Sequence, residues 1–173
     1  MVKVSKTQVE QDEIKVLDAL EQHSKESIDE IAKSCGFSRQ KVSRIIKNLE
    51  KNNVIWGYPP ITEDGTSNLK QFILLVKRKT IPFDDDYKKE LIFDKLDSYS
   101  PNVKVENISI THGEYDGFVT FYAKDILCAK KLVGEIFTRI GKYFERYVLL
   151  ETLFPIRKQG LKNPNMKELV EYL

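Results

Sequence analysis

The chain has 173 residues, of which 41% are hydrophobic and 31% are charged, and its formal net charge is only +2. This length and composition are enough for one domain or two small ones with buried cores, so a largely disordered chain is not the expectation. Because the charges nearly cancel, the molecule as a whole is not a polycation. Any affinity for nucleic acid must therefore come from a local cationic surface.

The cysteines and the apolar segments indicate the compartment. Cys35 and Cys128 lie far apart and lack the spacing of a zinc site or a disulfide framework, so we expect two reduced thiols, no metal and no cofactor. No segment approaches the roughly 20 apolar residues of a membrane-spanning helix, and the first residues do not resemble a signal peptide. We therefore expect a cytoplasmic protein without a membrane partner.

Helical periodicity begins at Thr7 and continues to about Asn53. The first predicted helix ends near His23-Ser24. Its apolar residues recur at spacings close to the helical repeat, which predicts one buried face. The residues that we expect on this face are Val9, Ile14, Leu17, Ala19 and Leu20.

Two further helices are predicted from their end signals. Ser27-Ile28-Asp29-Glu30 is a capping box, which begins a short helix that ends at Cys35-Gly36. Phe37 then follows as a core residue. Ser38 is placed to cap a third helix, which ends near Asn52.

The pattern changes after the third helix. Residues 54–58 are β-prone and predict a short strand, and Pro59-Pro60 prevents any further helix. Polar, turn-rich residues follow. We therefore expect a helical domain over residues 1–60 and a linker over residues 61–70.

The second half is predicted to alternate strands and helices in the order β-α-β-β-α-β. The expected ranges are a strand at 71–77, a helix at 87–98, strands at 103–111 and 115–123, a helix at 125–140 and a strand at 143–154. This order predicts a ferredoxin-like domain over residues 71–158, so that the fold class is α+β. A tail helix that begins at Asn163-Pro164 is expected within residues 159–173.

In such a domain both helices cover one face of the sheet, so the other face is either solvated or covered by a partner. The last predicted strand carries apolar residues on both faces. These residues are Tyr147, Val148, Leu149 and Leu150. They favour a partner, and we expect a homodimer or a higher homo-oligomer.

The third helix has two unlike faces. At 100° per residue its apolar residues fall within an arc of about 100°, and its cationic and polar residues lie on the opposite side. The apolar set is Val42, Ile45, Ile46 and Leu49, and the opposite set is Gln40, Arg44, Lys47 and Lys51. The alternative is that the charged face is only solvated and binds nothing. The short capped helix and the glycine turn that precede the third helix favour a helix-turn-helix that binds double-stranded DNA.

Seven polar residues at the start and on the outer face of this helix have an expected role. Arginine binds guanine with two hydrogen bonds and glutamine does the same with adenine, so Arg44 and Gln40 are expected to read bases, with Ser43 beside them. The residues expected at phosphates are Arg39, Lys41 and Lys47, with Ser38 at the helix N-terminus.

The sequence resembles the Lrp/AsnC (feast/famine) transcriptional regulators. The resemblance lies in Ile28 to Ser38 and Val42 to Ile55, which are similar to the helix-turn-helix of that family, and in Gly113-Glu114-Tyr115-Asp116, which looks like its Gly-x-Tyr-Asp hairpin. It implies a winged or plain helix-turn-helix, dimers that assemble further, and an amino acid or related metabolite as effector.

The same resemblance places Gly113, Tyr115 and Asp116 where an effector pocket would form. A structural role is the alternative, in which the glycine turns the hairpin and Tyr115 and Asp116 only fasten it. Gly117 stands where an aliphatic strand residue is expected.

Two other classes of function remain open. The siroheme decarboxylases have the same two-domain plan, but the Tyr-Arg-His-type stretch that they carry is lacking in residues 115–120, so we expect no enzyme. A protein-interaction module is the other alternative. The basic face of the third helix disfavours it.

Overall fold

The computed structural model describes residues 6–23, 25–62, 68–86, 88 and 103–166. The chain divides into two compact units, a helical unit (Met1–Pro60) and a sheet unit (Ile61–Leu173). The helical unit contains α1 (Lys6–His23), α2 (Ile28–Cys35) and α3 (Arg39–Lys51). The sheet unit contains β1 (Lys70–Arg78), β2 (Val103–Ile110), β3 (Gly117–Ala123), α4 (Ile126–Ile140), β4 (Phe144–Glu151), β5 (Arg157–Lys158) and β6 (Leu161–Lys162).

All three helices of the helical unit contribute to one core. Its buried members are Val16, Leu20, Ile31, Ala32, Cys35, Val42, Ile45 and Leu49. The Cys35 thiol is 1% exposed and lies 3.5 Å from the Lys15 carbonyl oxygen, as expected of a structural cysteine. The short α2 is thereby held between its two neighbours.

The predicted buried face of α1 is partly wrong. Leu20 is buried, and Leu17 and Ala19 are partly buried against the core. Val9 and Ile14 are exposed by 44% and 57%, and Val16 is fully buried in their place. Ile14 lies about 200° around the helix from Val16, and Val9 lies a full two turns before it, towards the free end of α1.

The strand predicted at residues 54–58 does not form. Residues 52–54 turn out of α3, and residues 55–60 run on without strand pairing. Trp56 is 93% exposed, and its indole N–H donates to the Asn53 carbonyl at 2.8 Å. The β-prone residues stay unpaired because no strand lies beside them within the described part of the helical unit.

The sheet unit is built on a four-stranded antiparallel sheet in the order β2-β3-β1-β4. Alternate residues of β1, Phe72 and Leu74, point into the core beneath α4 and are at most 1% exposed. This topology confirms the α+β, ferredoxin-like prediction. The helix predicted at 87–98 lies outside the described residues, apart from residue 88.

Helix α4 covers one face of the sheet. The carboxylate of Asp125 caps its N-terminus by accepting the Cys128 backbone N–H at 2.8 Å, and this hydrogen bond lowers the pKa of Asp125. Its buried stripe is Ala129, Leu132, Val133 and Ile136. In the described part of the chain, no helix is both long enough and apolar enough to cross a membrane.

Several predicted boundaries differ from the structure. Strands β3 and β4 are shorter than expected, because Tyr115 and Asp116 belong to the connection before β3, and β4 ends at Glu151. Residues 157–162 form a two-stranded hairpin of β5 and β6, so the first residues of the predicted tail segment 159–173 are not helical. Residues 167–173 lie outside the described part of the chain.

Gly117, the unexpected glycine of β3, sits where two backbones approach closely. A Cβ atom at this position would lie 3.0 Å from the Ser109 carbonyl oxygen and 3.5 Å from Cγ2 of Val76. A backbone oxygen in a paired strand cannot move away easily. The position therefore excludes the aliphatic residue that the sequence pattern suggested.

We predict that Gly117→Ala lowers the free energy of unfolding by about 1–3 kcal/mol, as overpacking does in other cores. Gly134→Ala is the matched control, because Gly134 lies on an exposed turn of α4 with nothing within 4 Å of an added Cβ. This control should gain about 0.5–1 kcal/mol. Urea unfolding followed by circular dichroism measures both, and equal effects of the two substitutions would contradict the prediction.

Candidate nucleic-acid interface

The N-terminus of α2 is fixed by the capping box that the sequence predicts. The Ser27 backbone N–H donates to Glu30 Oε2 at 2.8 Å, and the Glu30 N–H donates to Ser27 Oγ at 3.3 Å. The hydrogen bond from the Ser27 backbone is the main cause of the lowered pKa of Glu30. The carboxylate therefore stays charged at the positive end of the helix.

Gly36 makes the tight turn between α2 and α3. Its φ of +65° lies in the left-handed region, which glycine adopts without steric cost. The Gly36 N–H donates to the Lys33 carbonyl at 3.1 Å, and the Phe37 N–H donates to the Ala32 carbonyl at 2.9 Å. The two bonds close the end of α2 and aim the chain directly into α3.

The two faces of α3 are separated as predicted. Val42, Ile45 and Leu49 are at most 6% exposed, and they pack into the core of the helical unit. On the opposite side Gln40, Arg44 and Lys47 are exposed, and Ser43 beside them is half-buried. In the described part of the chain no carboxylate pairs with Arg44 or Lys47.

Ser38 and Arg39 stand at the start of α3. The Ser38 hydroxyl accepts the Lys41 backbone N–H at 3.3 Å, so it caps the helix and still has a proton to donate. Arg39 lies 3.1 Å from Asp29 in an ion pair whose side chains are 68% and 55% exposed. Such an exposed pair is weak, and Arg39 can exchange Asp29 for a phosphate at little cost.

Lys41 is placed differently from the other cations. Its Nζ lies 2.6 Å from Oδ2 of Asp12 in α1 and 3.7 Å from the centre of the Phe37 ring. The hydrogen bond from Lys41 is the main cause of the lowered pKa of Asp12. The structure therefore turns Lys41 towards the body of the helical unit and away from the surface that carries Arg44 and Lys47.

Asp12 was not among the predicted site residues. Among the described residues Asp12 is the one charged residue that is buried, with 8% exposure. It lies four residues before the buried Val16 and eight residues before the buried Leu20. An acidic residue in register with an apolar stripe is the sequence signal that indicates such a buried partner.

The hairpin residues Gly113, Tyr115 and Asp116 do come together at the turn between β2 and β3. Gly113 has a φ of +154°, a conformation that other residues rarely adopt. The Tyr115 carbonyl accepts the Thr111 hydroxyl at 2.6 Å, and the Tyr115 ring lies 5.5 Å from the Arg146 guanidinium. These contacts fit the fastening role that the sequence left open.

Asp116 ties the hairpin to β1. Its Oδ2 atom accepts the Arg78 backbone N–H at 2.9 Å and lies 3.2 Å from the Lys77 Nζ. The hydrogen bond from the Arg78 backbone is the larger cause of the lowered pKa of Asp116, followed by that from Lys77. Its Oδ1 atom has no hydrogen-bond donor among the described residues.

Comparisons with known proteins agree with this geometry. Residues 13–55 match a family described as winged helix-turn-helix DNA-binding. No curated protein sequence matches the chain. Among solved structures, a transcriptional regulator from Neisseria meningitidis in complex with L-Met has a TM-score of 0.64 and 17% identity, over 99% of this chain and 100% of that one.

Two further solved structures are similar over most of their length. Escherichia coli AsnC has a TM-score of 0.61 and 18% identity, over 88% of this chain and 97% of that one. The leucine response regulatory protein of Mycobacterium tuberculosis has a TM-score of 0.66 and 18% identity, with the same shares of the two chains covered. The predicted resemblance is thus confirmed: the chain has the two-domain fold of the Lrp/AsnC transcriptional regulators, and its residues 13–55 match the winged helix-turn-helix family.

Proposed function

We propose that this protein is a sequence-specific DNA-binding transcriptional regulator whose activity responds to an amino acid. One observation carries the proposal: the apolar face of α3 is buried, and its opposite face presents Gln40, Arg44 and Lys47 to solvent. A helix that is held in this way after a short helix and a glycine turn can enter the major groove.

The residues of α3 divide between bases and phosphates. Arg44 and Gln40 lie one turn apart on the exposed face, and each side chain can make two hydrogen bonds to one base, guanine and adenine respectively. Lys47 is one turn further along and is positioned for a phosphate. Arg39 and the Ser38 hydroxyl lie at the N-terminus of α3, where we expect them to bind phosphates of the DNA backbone.

A second copy of the chain would cover the open face of the sheet. The registers place Phe118, Leu75 and Val148 in one cross-strand row, and Ile73 and Leu150 in the next. These residues alternate with the buried Phe72 and Leu74, so they lie on the face away from α4. A dimer through this apolar face would supply two recognition helices, which two half-sites about 34 Å apart would accept.

The hairpin that contains Asp116 is the proposed effector site. The regulator from Neisseria meningitidis, similar over the whole chain, was solved with L-Met. In this chain Asp116 Oδ1 is free to accept a hydrogen bond from an ammonium group, while Oδ2 holds the hairpin on β1. An α-ammonium group bound here would change the contacts of β1 and the hairpin together.

We predict that Arg44→Ala relaxes sequence preference, with a loss of about 1–3 kcal/mol of discrimination at one base pair. Lys47→Ala should weaken binding to all sequences about equally and reduce the slope of log K against log salt by about 0.9. Selection of bound fragments from a random DNA library, followed by fluorescence anisotropy at several salt concentrations, measures both effects.

Lys130→Ala is the control for these DNA-binding variants, because Lys130 is an exposed lysine of α4 in the other unit and carries the same charge. It should leave the anisotropy titrations unchanged. If Arg44→Ala and Lys47→Ala bind every DNA as the wild type does, α3 is not the recognition helix. If the protein were instead a protein-interaction module, the affinity for its partner would depend little on salt concentration.

We predict that Leu150→Lys converts the dimer into single chains, because it places a charge in the apolar interface. Leu127→Lys makes the same change at a leucine of α4 that is 68% exposed, against 45% for Leu150, and it should leave the mass unchanged. Sedimentation equilibrium gives the mass of each variant. A dimer that persists in Leu150→Lys would place the interface elsewhere.

We predict that at least one of the twenty amino acids raises the melting temperature, since a ligand at 100 times its Kd adds about 2.7 kcal/mol to the free energy of unfolding. Differential scanning fluorimetry with each amino acid in turn measures this response. Asp116→Asn should abolish the response, and Glu114→Gln, an exposed change in the same hairpin, should keep it. A response that survives in Asp116→Asn would exclude this site.

A further inference from the structure

The contact between Asp12 of α1 and Lys41 of α3 differs from the other ion pair in the described part of the helical unit. The Asp12 side chain is 11% exposed and that of Lys41 is 33% exposed, whereas the Arg39–Asp29 pair is 68% and 55% exposed. Asp12 also accepts a hydrogen bond from the Gln8 amide at 3.1 Å. A carboxylate buried to this degree depends on its partners to stay charged.

Lys41 is held by two contacts on the same side. Its Nζ lies 2.6 Å from the Asp12 carboxylate and 3.7 Å from the centre of the Phe37 ring, a cation–π distance. Phe37 packs against the core of the helical unit. The ammonium group is therefore held between α1 and the turn that leads into α3, although the Lys41 side chain is only half-buried.

We propose that the Asp12–Lys41 pair positions the recognition helix, and that Lys41 does not contribute a phosphate contact. The pair joins the first turn of α3 to α1, and it sits one residue before the buried Val42. It thus sets the orientation of the helix end that would meet the bases. This inference rests on the proposed DNA-binding function and assigns a different role to one of its cations.

The cost of breaking the pair supports this assignment. If Lys41 turned outward to a phosphate, the buried Asp12 carboxylate would lose the one cation that it contacts among the described residues and would keep only the Gln8 hydrogen bond and the weaker field of Lys15. Arg39 meets no such cost, because Asp29 is already in contact with water. Two cations that look alike in the sequence thus have different freedom to bind DNA.

Salt dependence separates the two roles, because each cation that neutralises a phosphate contributes about 0.9 to the slope of log K against log salt. The slope is measured by fluorescence anisotropy on a duplex that carries the selected site and on a scrambled duplex. Three variants are compared with the full-length wild type: Lys47→Met, Lys41→Met, and the charge-neutral pair Asp12→Leu with Lys41→Met.

The Lys47→Met variant should lose about 0.9 of slope on both duplexes. Lys41→Met should keep the wild-type slope but lose several-fold of the ratio between site and scrambled affinity, because Asp12 is left without its partner. The pair variant should keep the slope and recover the ratio, because two apolar side chains can replace a buried ion pair without loss. A merely structural lysine would not produce this rescue of specificity.

Each outcome has one interpretation. If Lys41→Met or the pair variant loses as much slope as Lys47→Met, Lys41 binds phosphate and the inference is overturned. If Lys41→Met keeps the wild-type ratio between site and scrambled affinity, the pair does not position α3. If Lys47→Met also leaves the slope unchanged, the proposed phosphate contact of α3 fails and not this inference alone. Should Lys41→Met not fold, the pair variant, which buries no lone charge, still decides between the roles.

Discussion

The proposed DNA-binding surface depends on the burial of Val42, Ile45 and Leu49 against α1 and α2. These three side chains are at most 6% exposed, and each contributes about 1.5–3 kcal/mol when it leaves water. Helical periodicity then places the cationic residues of α3 on the exposed side, because they lie opposite the buried face. The exposure of the cationic face of α3 is thus a consequence of how the helix packs. The core contacts of the apolar face fix the orientation of the cationic face.

The other features of the helical unit serve this packing. The capping box at Ser27 fixes where α2 begins, and Gly36 at φ +65° fixes where it ends. With only eight residues, α2 is too short to be stable by itself, so its caps and its three buried residues hold it in place. The direction in which α3 leaves the turn is therefore set by local hydrogen bonds and by the core at the same time.

The sequence alone predicts most of this arrangement, because the deciding signals are local. Caps, the glycine turn and the two faces of α3 can be recognised within a few residues, and the fold of the sheet unit follows from the order of its predicted elements. Long-range contacts account for the failures. Val9 and Ile14 have suitable spacing but lie beyond or opposite the core, and residues 54–58 have β propensity but no neighbouring strand in the described unit. Gly117 is explained only by the Ser109 carbonyl across the sheet.

Charge is where sequence reasoning is weakest, because a side chain's type does not reveal its partner. Arg39, Lys41 and Lys47 are three cations within nine residues, and the sequence assigns all of them to phosphates. The structure separates them by burial and by partner. Lys47 is exposed, Arg39 forms an exposed ion pair with Asp29, and the half-buried Lys41 contacts Asp12 and Phe37. Asp116 shows the same division within one carboxylate, since one oxygen fastens the hairpin and the other remains open. Recognition chemistry therefore belongs to the groups that the fold does not already use.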